Sequence, residues 1–476
     1  MNPTRSLLIG AGMALCLARA GAALDTGPVN TAAADAAAVD AAAVDTVVDE
    51  WLSQTGAPSA SIAIVRQGRL AYVKAYGSAR LQPAVVASPA TRYAIDSVSK
   101  EFTAATLLQL AEQGKLSLDD AASRYIPRLR TAGSVTLRQL LTHTSGIRDF
   151  WPQDFVTPEM TRPTTADAII DEWVQKPLDF EPGTDWQYSN TGYVLAGAIA
   201  EIVARESLFE FQTRHIFTPL HMTRVTQYSP AIGQRSTLTA DDASGYTRHG
   251  TGRVVPAPKE GAGWLFASAH LAMQPADLAL WDMSLINRSL LSAESYKAEF
   301  DPIVLKDGKK QSYALGLDVE STQDRVRIGH GGGGSGFLSD NRIWPQERLA
   351  IIVFTNNDWA PPSELGARIA FLMLTPTPAE DRARRLFRSL QDGTVDRSLF
   401  TDIGNYEMTA SALADLKSSL GALGPPRLIL LEKESQRGGM VTRRWKILCR
   451  AARLSAVERG YSGGKLDQFR VTERTD

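Results

Sequence analysis

The sequence predicts an α+β fold: a mostly antiparallel sheet flanked by helices, carrying a large helical insertion, with a small second α+β module behind it. Three observations carry this. Two strand-like runs, 61–65 and 70–75, stand near the start with Gln67-Gly68 as a hairpin turn between them. Four more, 315–319, 325–328, 336–343 and 349–355, come only far downstream, so a long insertion splits one sheet. The chain's 476 residues exceed one ordinary domain. The stiff segment Thr375-Pro376-Thr377-Pro378 is expected to separate the two parts.

In chain order, Arg5 precedes an apolar run over 7–17 and the small residues Ala18-Arg19-Ala20-Gly21-Ala22-Ala23. That is the layout of a secretory signal peptide over 1–22, and it predicts a secreted or periplasmic protein. The run is shorter than the roughly 20 apolar residues a membrane span needs, so no span is expected after cleavage. The main domain is expected over 23–375. An Ala-, Asp- and Thr-rich lead-in covers 24–37, and Val39, Val44, Val47, Val48, Trp51 and Leu52 form one apolar helix face ended by Gly56-Ala57-Pro58. After the hairpin, a helix is expected from Ser97 to Glu112, stopped by Gln113-Gly114.

The insertion begins near Leu118. A buried helix over 194–203 and a short one over 277–285 lie ahead of the downstream strands, and 361–374 closes the domain. The second module, 379–476, reads as a basic helix over 380–390, a helix over 410–420, and three strand-like runs at 427–433, 440–451 and 465–472. Nothing in it carries recognisable chemistry, and its partner is unspecified.

Composition excludes several functions. With a net charge of −1 the chain has no basic character to recruit nucleic acid or an anionic membrane. Of its two cysteines, Cys16 lies in the signal segment, so Cys449 alone can form neither an internal disulfide nor a thiolate metal site. The six histidines show no i, i+4 pairing or His-Glu-x-x-His run. No metal and no cofactor are implied.

What remains is nucleophilic chemistry. In Ser97-Val98-Ser99-Lys100, a Ser and a Lys one helical turn apart share a face, and helix N-terminal amides favour a nucleophile whose product is an oxyanion. Spacing by itself is weak, because Ser462-Gly463-Gly464-Lys465 has it too, inside a glycine turn. Tyr188-Ser189-Asn190 holds the only Tyr followed two residues later by Asn. A phenol acts as a base only beside a positive charge, which Lys100 could supply. Asn190 offers both a donor and an acceptor. His143, in Leu141-Thr142-His143-Thr144-Ser145-Gly146, reads as a brace within a turn.

Taken in order, Ser97-Val98-Ser99-Lys100, Tyr188-Ser189-Asn190 and His330-Gly331-Gly332 resemble the penicillin-recognising serine hydrolases: class C β-lactamases, DD-peptidases, D-amino-acid peptidases and related carboxylesterases. The resemblance covers roughly 45–375 and implies a β-lactamase/transpeptidase-like fold. It also implies an acyl-enzyme on Ser97, with Lys100 and Tyr188 as catalytic partners. Asn190, His330, Gly332 and Gly333 would bind substrate, the amides of Ser97 and Gly333 forming the oxyanion hole. β-Lactamases carry Lys-Thr-Gly where this chain has His330-Gly331-Gly332, which points to a small ester or D-amino-acid peptide ahead of a β-lactam. The second module is similar in layout to cone-shaped domains of the nuclear-transport-factor-2 type.

Two other readings fit the residues less well. An α/β-hydrolase needs Gly-x-Ser-x-Gly at its nucleophile, which the chain lacks. A non-catalytic penicillin-binding scaffold would be expected to lose the Ser or the Lys, and both are present.

Overall fold

The computed structural model describes residues 39–474 apart from 154, 229–238, 240, 241, 322–324, 462 and 463. The expected signal peptide, the whole of the lead-in and the turn residues Ser462 and Gly463 lie outside the described residues. Among the described residues, no helix is long and apolar enough to cross a membrane.

Helix α1 (Ala41–Thr55) is capped by the Asp40 side chain at one end and by Gly56, at φ +67°, at the other. Strands β1 (Ser59–Arg66) and β2 (Arg69–Leu81) follow, with Gln67 and Gly68 both at positive φ, as a two-residue hairpin requires. A short β3 (Ala84–Val86) pairs with β2. The chain then builds helices α2 (Ser99–Glu112), α3 (Asn190–Ala204) and α4 (Pro275–Asn287). It returns through β4 (Asp318–Ser321), β5 (Val326–Gly334), β6 (Phe337–Trp344) and β7 (Leu349–Thr355), and closes with α5 (Pro362–Met373).

The seven strands form one sheet in the order β3-β2-β1-β7-β6-β5-β4, with every pairing antiparallel. The first and last parts of the domain thus meet at β1 and β7, where Ile62 faces Val353. The insertion leaves the sheet after β3 and rejoins it at β4.

Period-two alternation sorts the central strands onto two cores. Ile62, Ile64, Ile351 and Val353 pack with Val44, Val48, Trp51, Leu365 and Ile369 of α1 and α5. Ala63, Val65, Ile352 and Phe354 share the larger core with Phe102 of α2 and Trp281 of α4. Because both faces are covered, β1 and β7 read as near-continuous apolar runs, which is what marked them in the sequence.

The chain continues into α6 (Pro378–Asp392), α7 (Ala410–Leu420) and a four-stranded meander, β8 (Leu428–Arg437), β9 (Met440–Leu448), β10 (Arg453–Tyr461) and β11 (Leu466–Glu473). Phe387, Leu390, Trp445, Ile447 and Phe469 fill its core. Three strands were expected here, and the structure has four. The inward positions of β10 include Ala456, Glu458 and Gly460, so no apolar alternation announces it. Glu458 is buried, accepts from Trp445 Nε1 at 3.2 Å and is paired with Arg382 and Arg443.

The Pro-rich segment also differs from a plain spacer. Thr377 caps α6 in a reciprocal box with Glu380, with Pro378 at the first helical position. Arg325 ties this start to the sheet through Thr375 O at 2.7 Å and the Glu380 carboxylate at 3.3 Å. Further ion pairs join Arg427 to Glu50, and Lys446 and Arg453 to Glu364.

Candidate active site

Ser97 is set in place from both sides. Tyr93-Ala94 pairs with Met273 and Ala272, and the Ile95 amide donates to Leu271 O at 3.1 Å. Asp96 then adopts φ +46°, a left-handed conformation costly for a residue with a Cβ and typical of sites held under constraint. Its carboxyl is buried, neither oxygen has a hydrogen-bond partner, and burial raises its pKa well above the usual carboxylate value. Ser97 sits on the 3₁₀ turn Asp96–Val98 that runs directly into α2, rather than in the helix itself. Ser99 Oγ accepts from the Leu271 amide and Thr103 Oγ1 donates to Ala267 O, which clamps the start of α2 to the segment 267–271.

Lys100, in the first turn of α2, is fully buried. Its Nζ donates to Ser97 Oγ at 3.1 Å, Asn190 Oδ1 at 2.8 Å and Ser268 O at 2.9 Å. Three acceptors meet the three donors of an ammonium, which is how such a group tolerates burial. Nζ also lies 4.8 Å from the Tyr188 ring centroid and 5.3 Å from that of Tyr193.

The Tyr188 hydroxyl donates to Ser97 Oγ at 2.9 Å. Burial lifts its pKa well above that of an ordinary phenol, so it keeps its proton at rest. Behind it, Ser189 caps α3, accepting from the Gly192 amide, and Asn190 opens the helix. Gly192 lets α3 approach the one-turn helix Leu137–Leu141, where a Cβ would come within 3.3 Å of Leu140 O.

Two further residues orient this corner. His143 Nδ1 accepts from the Ser189 amide at 3.1 Å, so the ring proton is on Nε2. The ring packs against Tyr188, Tyr193 and Tyr313, at 4.2, 5.3 and 4.6 Å between centroids. Burial, then Lys100, holds its pKa well below the usual histidine value. Asp149, which the sequence reading passed over, accepts from both the Asn190 backbone amide and Nδ2 at 3.1 Å each.

Strand β5 forms the opposite wall. His330 is buried, and burial and Lys100 push its pKa down to about 3, so it is neutral. Nδ1 donates to Gly331 O, leaving Nε2 to accept from the Tyr313 hydroxyl at 2.9 Å. Tyr313 was also missed, since a lone Tyr in a loop carries no spacing signal. β4 covers β5 only from Val326 to Gly329, so beyond it one edge of β5 is free of β4. The two-residue turn Ser335-Gly336 closes the β5–β6 hairpin on the pair Gly334 and Phe337. Antiparallel alternation then directs the Gly333 amide away from β6, toward that open edge. Gly332 has no room for a side chain: a Cβ there would lie 2.2 Å from Ile95 O and 2.3 Å from Ser339 Oγ.

These walls enclose a cleft of about 810 Å³ lined by Ser97, Tyr188, His330 and the glycines of β5. Among the described residues, its lining contains no Lys or Arg, and its carboxylates are Asp340 and Asp358. The structure thus brings Ser97, Lys100, Tyr188 and Asn190 into one hydrogen-bonded group and sets Ser97, Tyr188, His330, Gly332 and Gly333 around one cleft.

Comparison with known proteins bears on the family and the fold. The family model described as "Beta-lactamase" matches residues 41–372. Protein flp of Staphylococcus aureus (strain COL) is 30% identical over 322 residues, 65% of this chain and 62% of that protein, so the chain spans about three-fifths of that relative's length. Penicillin-binding protein 4* of Bacillus subtilis is 26% identical over 318 residues, 65% of this chain and 70% of its own. Among solved structures, a D-stereospecific amidohydrolase from Streptomyces matches with a TM-score of 0.61 at 24% identity, over 71% of this chain and all of its own. The octameric penicillin-binding protein homologue from Pyrococcus abyssi matches at 0.60 and 22%, over 91% of this chain and 100% of its own. At these identities the solved structures speak for the fold alone. The family model, spanning most of the chain with the Ser97 cleft inside its limits, establishes that the protein belongs to the Beta-lactamase family of penicillin-recognising serine hydrolases.

Proposed function

We propose that the protein is a serine hydrolase that forms an acyl-enzyme on Ser97 and cleaves a small neutral ester or amide, D-amino-acid amides and peptides included. Ser97 Oγ attacks the carbonyl carbon and passes its proton to the Tyr188 oxygen, while the Tyr188 hydroxyl proton moves to the departing oxygen or nitrogen. This concerted relay spares the enzyme a free phenolate, which burial of Tyr188 makes costly. The Lys100 ammonium stabilises negative charge as it develops between Ser97 and Tyr188. The amides of Ser97 and Gly333 receive the carbonyl oxygen, each such donor contributing about 3 kcal/mol. Water then repeats the sequence: its proton goes to Tyr188, the Tyr188 proton returns to Ser97 Oγ, and the acid is released.

The observation that carries the choice of substrate is the cleft's charge. Penicillins and peptides ending in a free carboxylate need a cation near the strand that reads them. Here that position holds His330, neutral because of burial and Lys100, and the cleft's described lining offers no Lys or Arg, while Asp340 is already paired with Arg342. A neutral substrate suits such a cleft; a carboxylate finds no cationic side chain in the described lining to anchor it. β-Lactam hydrolysis is therefore the lesser reading. Assay of p-nitrophenyl esters, D-alanine amides and peptides and a chromogenic cephalosporin, with Ser97→Ala as control, tests it. The neutral substrates should give the higher kcat/KM, and a cephalosporin turned over best would overturn the assignment.

We also propose that 23–375 forms the catalytic domain and that 379–476, with its separate core, is an accessory module, following a signal peptide that exports the protein.

A further inference from the structure

A second cavity, of about 400 Å³, lies where α6 and β8 of the C-terminal module meet α5 and the β4–β5 edge of the large sheet. That volume is in the range of small-molecule pockets. It shares no lining residue with the cleft at Ser97. Phe371, Leu374, Ala379 and residues 428–431 give it an extended apolar lining, while five arginines and four glutamates supply its charges.

Those charges pair off with one exception. Arg325 engages Glu380 and Glu347, Arg327 engages Glu320, Arg443 engages Glu434 and Glu458, and Arg342 engages Asp340. Glu432 is held by Arg474. Arg384 makes no ion pair among the described residues. Its guanidinium carbon stacks 3.9 Å from the Phe371 ring centroid, and its buried Nε has no hydrogen-bond partner. A half-buried, unpaired guanidinium against an aromatic floor is a fork awaiting a planar anion.

Arg384 is thus the one guanidinium of the described lining outside an ion pair, and a single fork matches a monoanion, since a dianionic phosphate would face the nearby glutamates uncompensated. The apolar lining calls for a hydrocarbon chain behind the anionic head. We propose that this cavity binds a medium-chain aliphatic monocarboxylate, its carboxylate on Arg384 and its chain along Phe371, Leu374 and Leu430. The basic helix at 380–390, which the Ser97 chemistry leaves unexplained, then has a binding role that stands apart from the hydrolase reading.

Isothermal titration of the full-length Ser97→Ala protein with octanoate tests this without turnover. Saturable one-to-one binding is expected, weakened at least about tenfold by Arg384→Gln and less by Arg384→Lys. On the same protein, octylamine and octyl phosphate should bind at least about tenfold more weakly than octanoate. Absence of saturable binding, equal affinity in a folded Arg384→Gln variant, or a preference for octylamine or octyl phosphate overturns the proposal. Should Arg384→Gln fail to fold, the head-group comparison on the unsubstituted site decides it. Because Arg384 is remote from the lining of the Ser97 cleft, failure here leaves the hydrolase reading untouched.

Discussion

Asp149 holds Asn190 at two points, accepting from its backbone amide and from its side-chain Nδ2 at 3.1 Å each. With Nδ2 so engaged, Oδ1 faces Lys100 Nζ at 2.8 Å, so a carboxylate that never touches Ser97 decides which way the amide points. Asp149→Ala leaves the amide free to rotate and strips the two Asn190 donors and the Trp151 amide of their acceptor, an unsatisfied buried donor costing about 1–3 kcal/mol. The expected result is a fall in kcat of roughly 10- to 100-fold with a smaller change in KM. Steady-state kinetics of Asp149→Ala and Asp149→Asn check this, and an unchanged kcat in the alanine variant rules the orienting role out.

The adjacent glycines of β5 should respond differently. At Gly332 an added Cβ meets backbone, Ile95 O at 2.2 Å, so the strand must move away from the Ser97 turn. At Gly333 it meets only Leu338 Cδ2 at 3.0 Å, the end of a side chain that can turn aside. Gly332→Ala is therefore expected to abolish covalent labelling of Ser97, and Gly333→Ala to leave it detectable. Labelling kinetics of the pair decide the matter, and full reactivity in Gly332→Ala contradicts the geometry.

The pH–rate profile follows from the two buried imidazoles. Burial and Lys100 depress His143 well below the usual histidine value and His330 to about 3. A depressed histidine takes up its proton only in more acid solution, so neither changes charge near neutrality. Ester hydrolysis should lack the acid limb near neutrality that a histidine base produces. A limb near pH 6.5 that disappears in His143→Gln or His330→Gln would show that an imidazole carries the proton after all.

Stability has its own pH dependence, rooted one residue beyond Lys100. Glu101 is fully buried, accepts from Trp281 Nε1 at 2.7 Å, and has its pKa raised by burial from 4.5 to about 8. An acid with a raised folded-state pKa stabilises the fold fully below its unfolded value and loses that contribution as pH climbs to the folded value. Between 4.5 and about 8 this one group should cost roughly 1.4 kcal/mol per pH unit. Asp282 and Glu299, also buried with raised pKa values, act in the same direction. Denaturant midpoints measured across this range should fall with pH, less steeply in Glu101→Gln; identical slopes for the two proteins would exclude Glu101 as a source.

The parts of the fold and site that could be read from sequence share a property: their signal is local. Gln67-Gly68 fixes a hairpin within its own four residues, and the Ser97 to Lys100 spacing survives intact although the serine lies on a 3₁₀ turn ahead of α2. Asp149 and Tyr313 stayed hidden because their partners, Asn190 and His330, are 41 and 17 residues away and no spacing links them. Strand β10 was invisible because its inward face is built on a buried Glu458, whose counter-charges come from α6 and β9. The start of α6 was a different kind of miss. Thr377-Pro378-Ala379-Glu380 is a complete helix-start signature, overshadowed by the prolines at 376 and 378.

The central claim is that the Ser97 hydroxyl, gripped by Lys100 and Tyr188, is the nucleophile. Intact-mass analysis of the folded protein after incubation with a fluorophosphonate measures this most directly. One adduct per chain is expected, mapped by peptide digestion to Ser97, absent in Ser97→Ala and slowed by several powers of ten in Lys100→Ala. No adduct on the folded protein, or one that persists undiminished in Ser97→Ala, contradicts it.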